Sequence, residues 1–142
     1  MAIRTAKAEW NGNLTEGKGT MALGGGAWQG PYSFQSRFEE APGTNPEELI
    51  GGALAGCFSM ALSAGLGRAG FTATRIATSA RVHLEKVEGG FGVTRIALTT
   101  DATVPGIDEA IFRQNVEATK VGCPISKALK AVEITVAATL HG

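Results

Sequence analysis

From Leu49 to Gly67 the chain runs nineteen residues without a charge, LIGGALAGCFSMALSAGLG. That length approaches a membrane span. The stretch is diluted by glycine, alanine and serine, no aromatic belt flanks it, and polar, patterned segments lie on both sides. A helix that is apolar all round is equally the buried helix of a folded domain, and that reading fits the rest of the chain. Its start is well marked. Asn45 is a good N-cap, Pro46 suits the first helical position, and Glu47 and Glu48 meet the positive end of the helix dipole. Gly67 or Gly70 ends it.

Around this helix the pattern is mostly of strands. Residues 3–10 alternate as a half-buried strand does, and residues 14–23 form a weaker strand thinned by Gly17 and Gly19. The segment 24–31, GGGAWQGP, reads as a loop. Residues 32–38 alternate again, with Tyr32, Phe34 and Phe38 on one face and Arg37 on the other. Beyond the helix, residues 73–87 and 91–104 read as a hairpin turned at Gly89-Gly90. VPGID leads into a helix over 108–121. A short helix follows Gly122-Cys123-Pro124 and ends near residue 131, and residues 132–140 close the chain as a strand. The expectation is one α+β domain over residues 1–142, with strands flanking a buried central helix.

The 142 residues carry thirteen basic and thirteen acidic side chains. A chain without net charge has no basic field to hold nucleic acid. GGGAWQG lacks the Lys-Ser/Thr of a phosphate loop, so a nucleotide site is not expected. Trp10 and Trp28 read as packing groups, and Phe34, Phe38, Phe58 and Met60 as core candidates. His83 falls on the polar side of its strand and His141 at the chain's end. Two cysteines and two distant histidines lack zinc-ligand spacing, so no metal is expected. MAIRTAKAEW has no secretory pattern, which points to the cytoplasm. There, cysteines are inert buried thiols or a working redox pair.

Read locally, the two cysteines leave both possibilities open. Cys57 lies in mid-helix, with the small residues Ala53, Ala61 and Ala64 and with Leu54 at helical spacing. Buried structural thiols are common in such places. Cys123 precedes Pro124 at a helix N-cap, a position that favours thiolate, though a cysteine there can simply cap the turn. Arg37 alone reads as a solvated strand arginine and Glu47 as a helix-dipole carboxylate. Together with a thiol they form a device in which a guanidinium favours thiolate and a carboxylate holds the guanidinium.

RFEEAPGTNPEELIGGALAGCFSMAL, then VPGID, then GCPIS resembles the osmotically inducible protein C (OsmC) family of thiol-dependent peroxidases, over nearly the whole chain. The related organic hydroperoxide resistance (Ohr) family shares the NPE and GCP elements but takes its arginine from another N-terminal position. Arg37, directly before Phe38-Glu39, looks like the OsmC arrangement. The resemblance implies that Cys57 is the peroxidatic cysteine, Cys123 the resolving cysteine, and Arg37 and Glu47 the charged pair serving Cys57. It implies reduction of organic hydroperoxides, and of hydrogen peroxide, through a Cys57 sulfenic acid and a Cys57–Cys123 disulfide, in oxidative or osmotic stress defence. It further implies an external dithiol reductant of the dihydrolipoyl type, no cofactor, and an intertwined homodimer.

Glu47 lies ten residues ahead of Cys57. In one helix that is ~15 Å of rise, so a carboxylate at one end does not serve a thiol in the middle of the same helix. The charged group near Cys57 then comes from Arg37 folding over, or from Glu47 of a partner subunit. The expectation is a homodimer with active sites at its interface. A redox-sensing protein, or a non-catalytic small-ligand-binding protein of the same fold, is the alternative.

Overall fold

The computed structural model describes residues 1–142. The chain forms two compact units, Met1–Leu49 and Ile50–Gly142.

In the first unit β1 (Ala6–Asn11), β2 (Lys18–Leu23) and β3 (Gln29–Tyr32) make an antiparallel sheet in that order. Gly19 lies opposite both Trp10 and Tyr32 in register, and the two rings pack with centroids 5.4 Å apart. A Cβ on Gly19 would run into both rings. The glycine that thins the strand pattern is therefore the residue that lets these aromatics meet.

The expected strand over 32–38 is not formed. After Tyr32 the chain turns into a short helix, α1 (Phe34–Phe38). Ser33 caps it, accepting from the Ser36 N–H, while the Ser36 hydroxyl accepts from the Ser33 N–H. This reciprocal pair satisfies the first orphan donors of a helix. Phe34 and Phe38 fit a strand face, but they also fit i, i+4 spacing on a helix, and their rings pack at a tilt of 43° with centroids 5.0 Å apart. Arg37 thus stands in the last turn of a helix.

The helix α2 (Pro46–Arg68) starts where expected, with the Asn45 Oδ1 accepting from the Glu48 N–H at 2.8 Å. It passes through Gly51-Gly52 without a break. In the second unit it is followed by β4 (Arg75–Val87), β5 (Gly90–Thr103), α3 (Glu109–Gly122), α4 (Pro124–Ala128) and β6 (Glu133–His141). β4 and β5 form the expected hairpin, turned at Gly89 and Gly90 with φ of 88° and 145°, a region suited to glycine. β5 and β6 run parallel. That pairing requires a crossover, which α3 and α4 supply.

β5 is the central strand, and Ile96, Leu98, Thr100 and Ala102 alternate into the core. Against them lie Leu54, Phe58, Leu62 and Leu66, one residue per turn along one face of α2, with Phe112 and Val116 of α3. A chain of hydroxyls ties this face of α2 to the sheet. Ser59 donates to Thr78 at 2.7 Å, Thr78 and Thr100 share a 2.6 Å hydrogen bond, and Thr100 reaches the Ala77 carbonyl at 3.3 Å.

By length and composition α2 is apolar enough to cross a membrane, but its leucine–phenylalanine face is core. Its opposite face is open in the single chain, where Gly52, Ala53, Gly56, Met60, Ser63, Ala64 and Gly67 are exposed. The expected burial holds for one face only, and Met60, expected in the core, is 79% exposed.

Candidate active site

Arg37 and Glu47 meet within the first unit, through backbone geometry set by α1 and the start of α2. The Ser36 hydroxyl donates to the Thr44 carbonyl at 2.7 Å, and the Asn45 amide donates to the Ser36 carbonyl at 3.1 Å. These bonds hold the last turn of α1 beside the first turn of α2. Arg37 then donates from Nε to Glu47 Oε1 at 2.8 Å and from Nη2 to Glu47 Oε2 at 3.0 Å. This is the two-pronged fit between planar guanidinium and carboxylate that fixes orientation as well as charge. The Glu47 side chain is 10% exposed and that of Arg37 38%, so the carboxylate is fixed in protein while the guanidinium still faces outward.

The second unit brings the two cysteines together. Both are free thiols, Cys57 partly exposed on α2 and Cys123 buried. Cys123 closes α3 and caps α4, with extended backbone at φ −64° and ψ 138°. Pro124 occupies the first position of α4, where its missing N–H costs nothing. The Cys123 sulfur lies 3.4 Å from both the backbone nitrogen and the hydroxyl oxygen of Ser126. Ser126 escapes a search for reactive residue types. Its signal was positional: three residues past an N-cap stands the N–H that the cap side chain accepts from.

The two thiols feel each other, and their environments push them apart. Burial raises Cys57 above the ordinary thiol value of 9.0, the neighbouring Cys123 adds to this, and the Ile125 N–H opposes it. Burial also acts to raise Cys123, but the Ser126 hydroxyl, Cys57 and the N–H groups of Ser126 and Ile125 outweigh it, and Cys123 is lowered. In the single chain the thiolate-favouring position is thus Cys123, because it holds the fixed donors. Two such thiols can be joined as a disulfide when an oxidant removes two electrons, and a reducing thiol can reopen it by exchange.

Of the four residues singled out from sequence, Arg37 and Glu47 form one pair in the first unit, and Cys57 and Cys123 form another in the second. No group of three or more His, Cys, Asp or Glu side chains is arranged to hold a metal. His83 instead meets Arg95 at 3.2 Å on the exposed face of the hairpin.

Residues 38–137 match the family of OsmC-like proteins. The chain is 53% identical over 133 residues to peroxiredoxin OsmC of Escherichia coli K12, covering 93% of this chain and 92% of that protein. Among solved structures it resembles the organic hydroperoxide resistance protein OhrB of Bacillus subtilis, with a TM-score of 0.72 and 25% identity, covering 95% of this chain and 98% of the other. An OsmC-like protein from Mycoplasma pneumoniae shares the fold at a TM-score of 0.77 and 18% identity, each chain covered to 99%.

Proposed function

Because the chain belongs to the OsmC family, we propose that its thiol peroxidase activity runs through Cys57 as the attacking sulfur and Cys123 as the resolving one. The observation that carries this is two free thiols from distant parts of the sequence that interact with each other, one partly exposed and one buried and held by fixed donors. The Cys57 thiolate attacks the terminal oxygen of a hydroperoxide, releases an alcohol or water, and becomes a sulfenic acid. The Cys123 thiolate then displaces the hydroxyl from that sulfur to form a disulfide. An external dithiol of the dihydrolipoyl class reduces the disulfide by exchange. Organic hydroperoxides are the proposed main substrates.

Burial raises the Cys57 thiol in the single chain, and a cation beside it would favour the attacking thiolate. Arg37 is the candidate, and it is bonded to Glu47 through two hydrogen bonds. Whichever subunit supplies one therefore supplies the other. α2 is unbroken between Glu47 and Cys57, which leaves ~15 Å of rise between them. The pair that serves Cys57 is accordingly taken from a second copy of the chain. The open face of α2 supports this, since Gly52, Gly56, Met60 and Gly67 offer an uncharged strip on which another helix can pack closely.

The test is mass spectrometry of the Cys57→Ser and Cys123→Ser proteins after an organic hydroperoxide. The proposal requires sulfenic or higher acids on Cys57 when Cys123 is missing, and little oxidation when Cys57 is missing. Repeated turnover with a dithiol must accompany it in the unaltered protein.

A further inference from the structure

We propose that Ser126 is a catalytic residue of the reductive half-reaction, stabilising the thiolate that forms on Cys123 when the reductant opens the disulfide at Cys57. The inference rests on the two-cysteine reading above and adds the direction in which the disulfide is opened.

A thiolate attacks a disulfide along the sulfur–sulfur axis, from the side opposite the leaving sulfur, so the attacked sulfur must be reachable. Cys123 is 1% exposed and Ser126 6%, whereas Cys57 is partly exposed on α2. Access thus selects Cys57 as the sulfur under attack. The leaving sulfur needs the opposite environment, a place where developing negative charge finds donors that do not have to reorganise. Beside the Ile125 N–H, the Cys123 sulfur has the Ser126 N–H and the Ser126 hydroxyl, each with its heavy atom at 3.4 Å. The N–H groups are fixed by the backbone of α4. The hydroxyl is the part of this arrangement that a side-chain substitution removes.

The step balances as ordinary exchange. A thiolate of the reductant forms a bond to Cys57 Sγ, the Cys57–Cys123 bond breaks, and its electron pair stays on Cys123 Sγ. The second thiol of the reductant, once deprotonated, attacks the reductant's own sulfur in the mixed disulfide. That step releases the Cys57 thiolate. The reductant leaves as a disulfide, oxidised by two electrons, and the protein has gained those electrons. The same donors act in the oxidative half-reaction by keeping Cys123 ready to attack the sulfenic acid.

The test begins with protein oxidised by diamide, so that the disulfide does not depend on peroxidase activity. Excess 2-mercaptoethanol is added, the mixture is quenched rapidly in acid, free thiols are capped with N-ethylmaleimide, and the peptides are mapped by mass. The expected result is mercaptoethanol on Cys57 with the maleimide on Cys123. The reverse labelling, or failure of diamide to join the two cysteines, overturns the inference. Ser126→Ala should slow opening by about fivefold to tenfold, the loss of one hydrogen bond to a forming charge, and Ser126→Thr should restore most of it. An unchanged opening rate in Ser126→Ala also overturns it. Peroxide consumption by the reduced protein, measured alongside, tests the peroxidase reading separately.

Discussion

Arg37 grips Glu47 with two of its three guanidinium nitrogens, Nε at 2.8 Å and Nη2 at 3.0 Å, and this leaves Nη1 outside the fork. The carboxylate is nearly buried, while Arg37 is more than a third exposed at its side chain. In the proposed mechanism Glu47 is therefore the holder and Arg37 the presented group. Glu47→Gln keeps the shape but gives up the charge and one of the two acceptors. The expected outcome is a fall of about tenfold to hundredfold in kcat/KM for an organic hydroperoxide, the scale of a misdirected positioning group. Disulfide formation by diamide should be unaffected. Arg37→Lys, which retains charge but loses the fork, should fall comparably. Steady-state kinetics on the three proteins checks this.

The two thiols should titrate in separate steps. Cys123 is lowered from 9.0, where the Ser126 hydroxyl and the other donors overcome burial, and Cys57 is raised from 9.0, chiefly by burial. As pH rises, ultraviolet thiolate absorbance of the reduced, monomeric chain should therefore climb first below 9.0 and again above it. The steps belong to the pair, but Cys123→Ser should remove the lower one. The sign also sets the effect on stability. Cys123 favours the folded state above its unfolded value and loses that contribution as pH falls through its folded value. Cys57 does the opposite, being fully favourable below its unfolded value and less so as pH rises through its folded one. A single step at 9.0 would contradict both directions.

The helix, the hairpin and the helix-cap cysteine were legible from sequence because each is a local device. Asn45-Pro46-Glu47-Glu48 is a helix start whatever surrounds it, Gly89-Gly90 supplies a conformation that other residues resist, and Cys123-Pro124 is a cap. Residues 34–38 were not legible as a helix. Five residues with two aromatics fit both periods, and the deciding feature was the reciprocal Ser33–Ser36 pair, in which a serine stands where a glutamate usually does. Met60 failed for another reason. An uncharged helix shows no polar face, so the sequence carries no sign of which side the sheet takes. Ser126 was missed because its role comes from its place next to a sulfur and not from its own reactivity.

Phe58 is fully buried on the core face of α2, adjoining Cys57 in sequence but pointing into the sheet. Phe58→Ala should cost about 3–5 kcal/mol of stability, the range for emptying a buried aromatic site. Urea unfolding checks the loss. The reduced folded fraction should still form the disulfide with diamide.

Met60 tests the open face of α2. It is 79% exposed in the single chain, and if two copies of α2 face each other there, Met60→Glu puts like charges into an uncharged contact. The expected product is a folded monomer by sedimentation and circular dichroism, with peroxidase activity lost. A dimer of normal affinity would place the interface elsewhere.

The sharpest test joins the two pairs of residues. If Arg37 and Glu47 serve the Cys57 of a partner subunit, Arg37→Ala and Cys57→Ser are each inactive alone but complement each other. In a mixed dimer the first chain keeps a working Cys57, and the second keeps the Arg37–Glu47 pair that serves it. One of the two sites is then whole. Refolding the two proteins together in equal amounts makes half of the dimers mixed, so about a quarter of normal activity should return for a two-fold assembly. If each chain served its own thiol, neither site of the mixed dimer would be complete. Activity would then stay at the average of the two parents. The same mixture with Glu47→Ala in place of Arg37→Ala should behave alike, because the two side chains are held together and travel as one group.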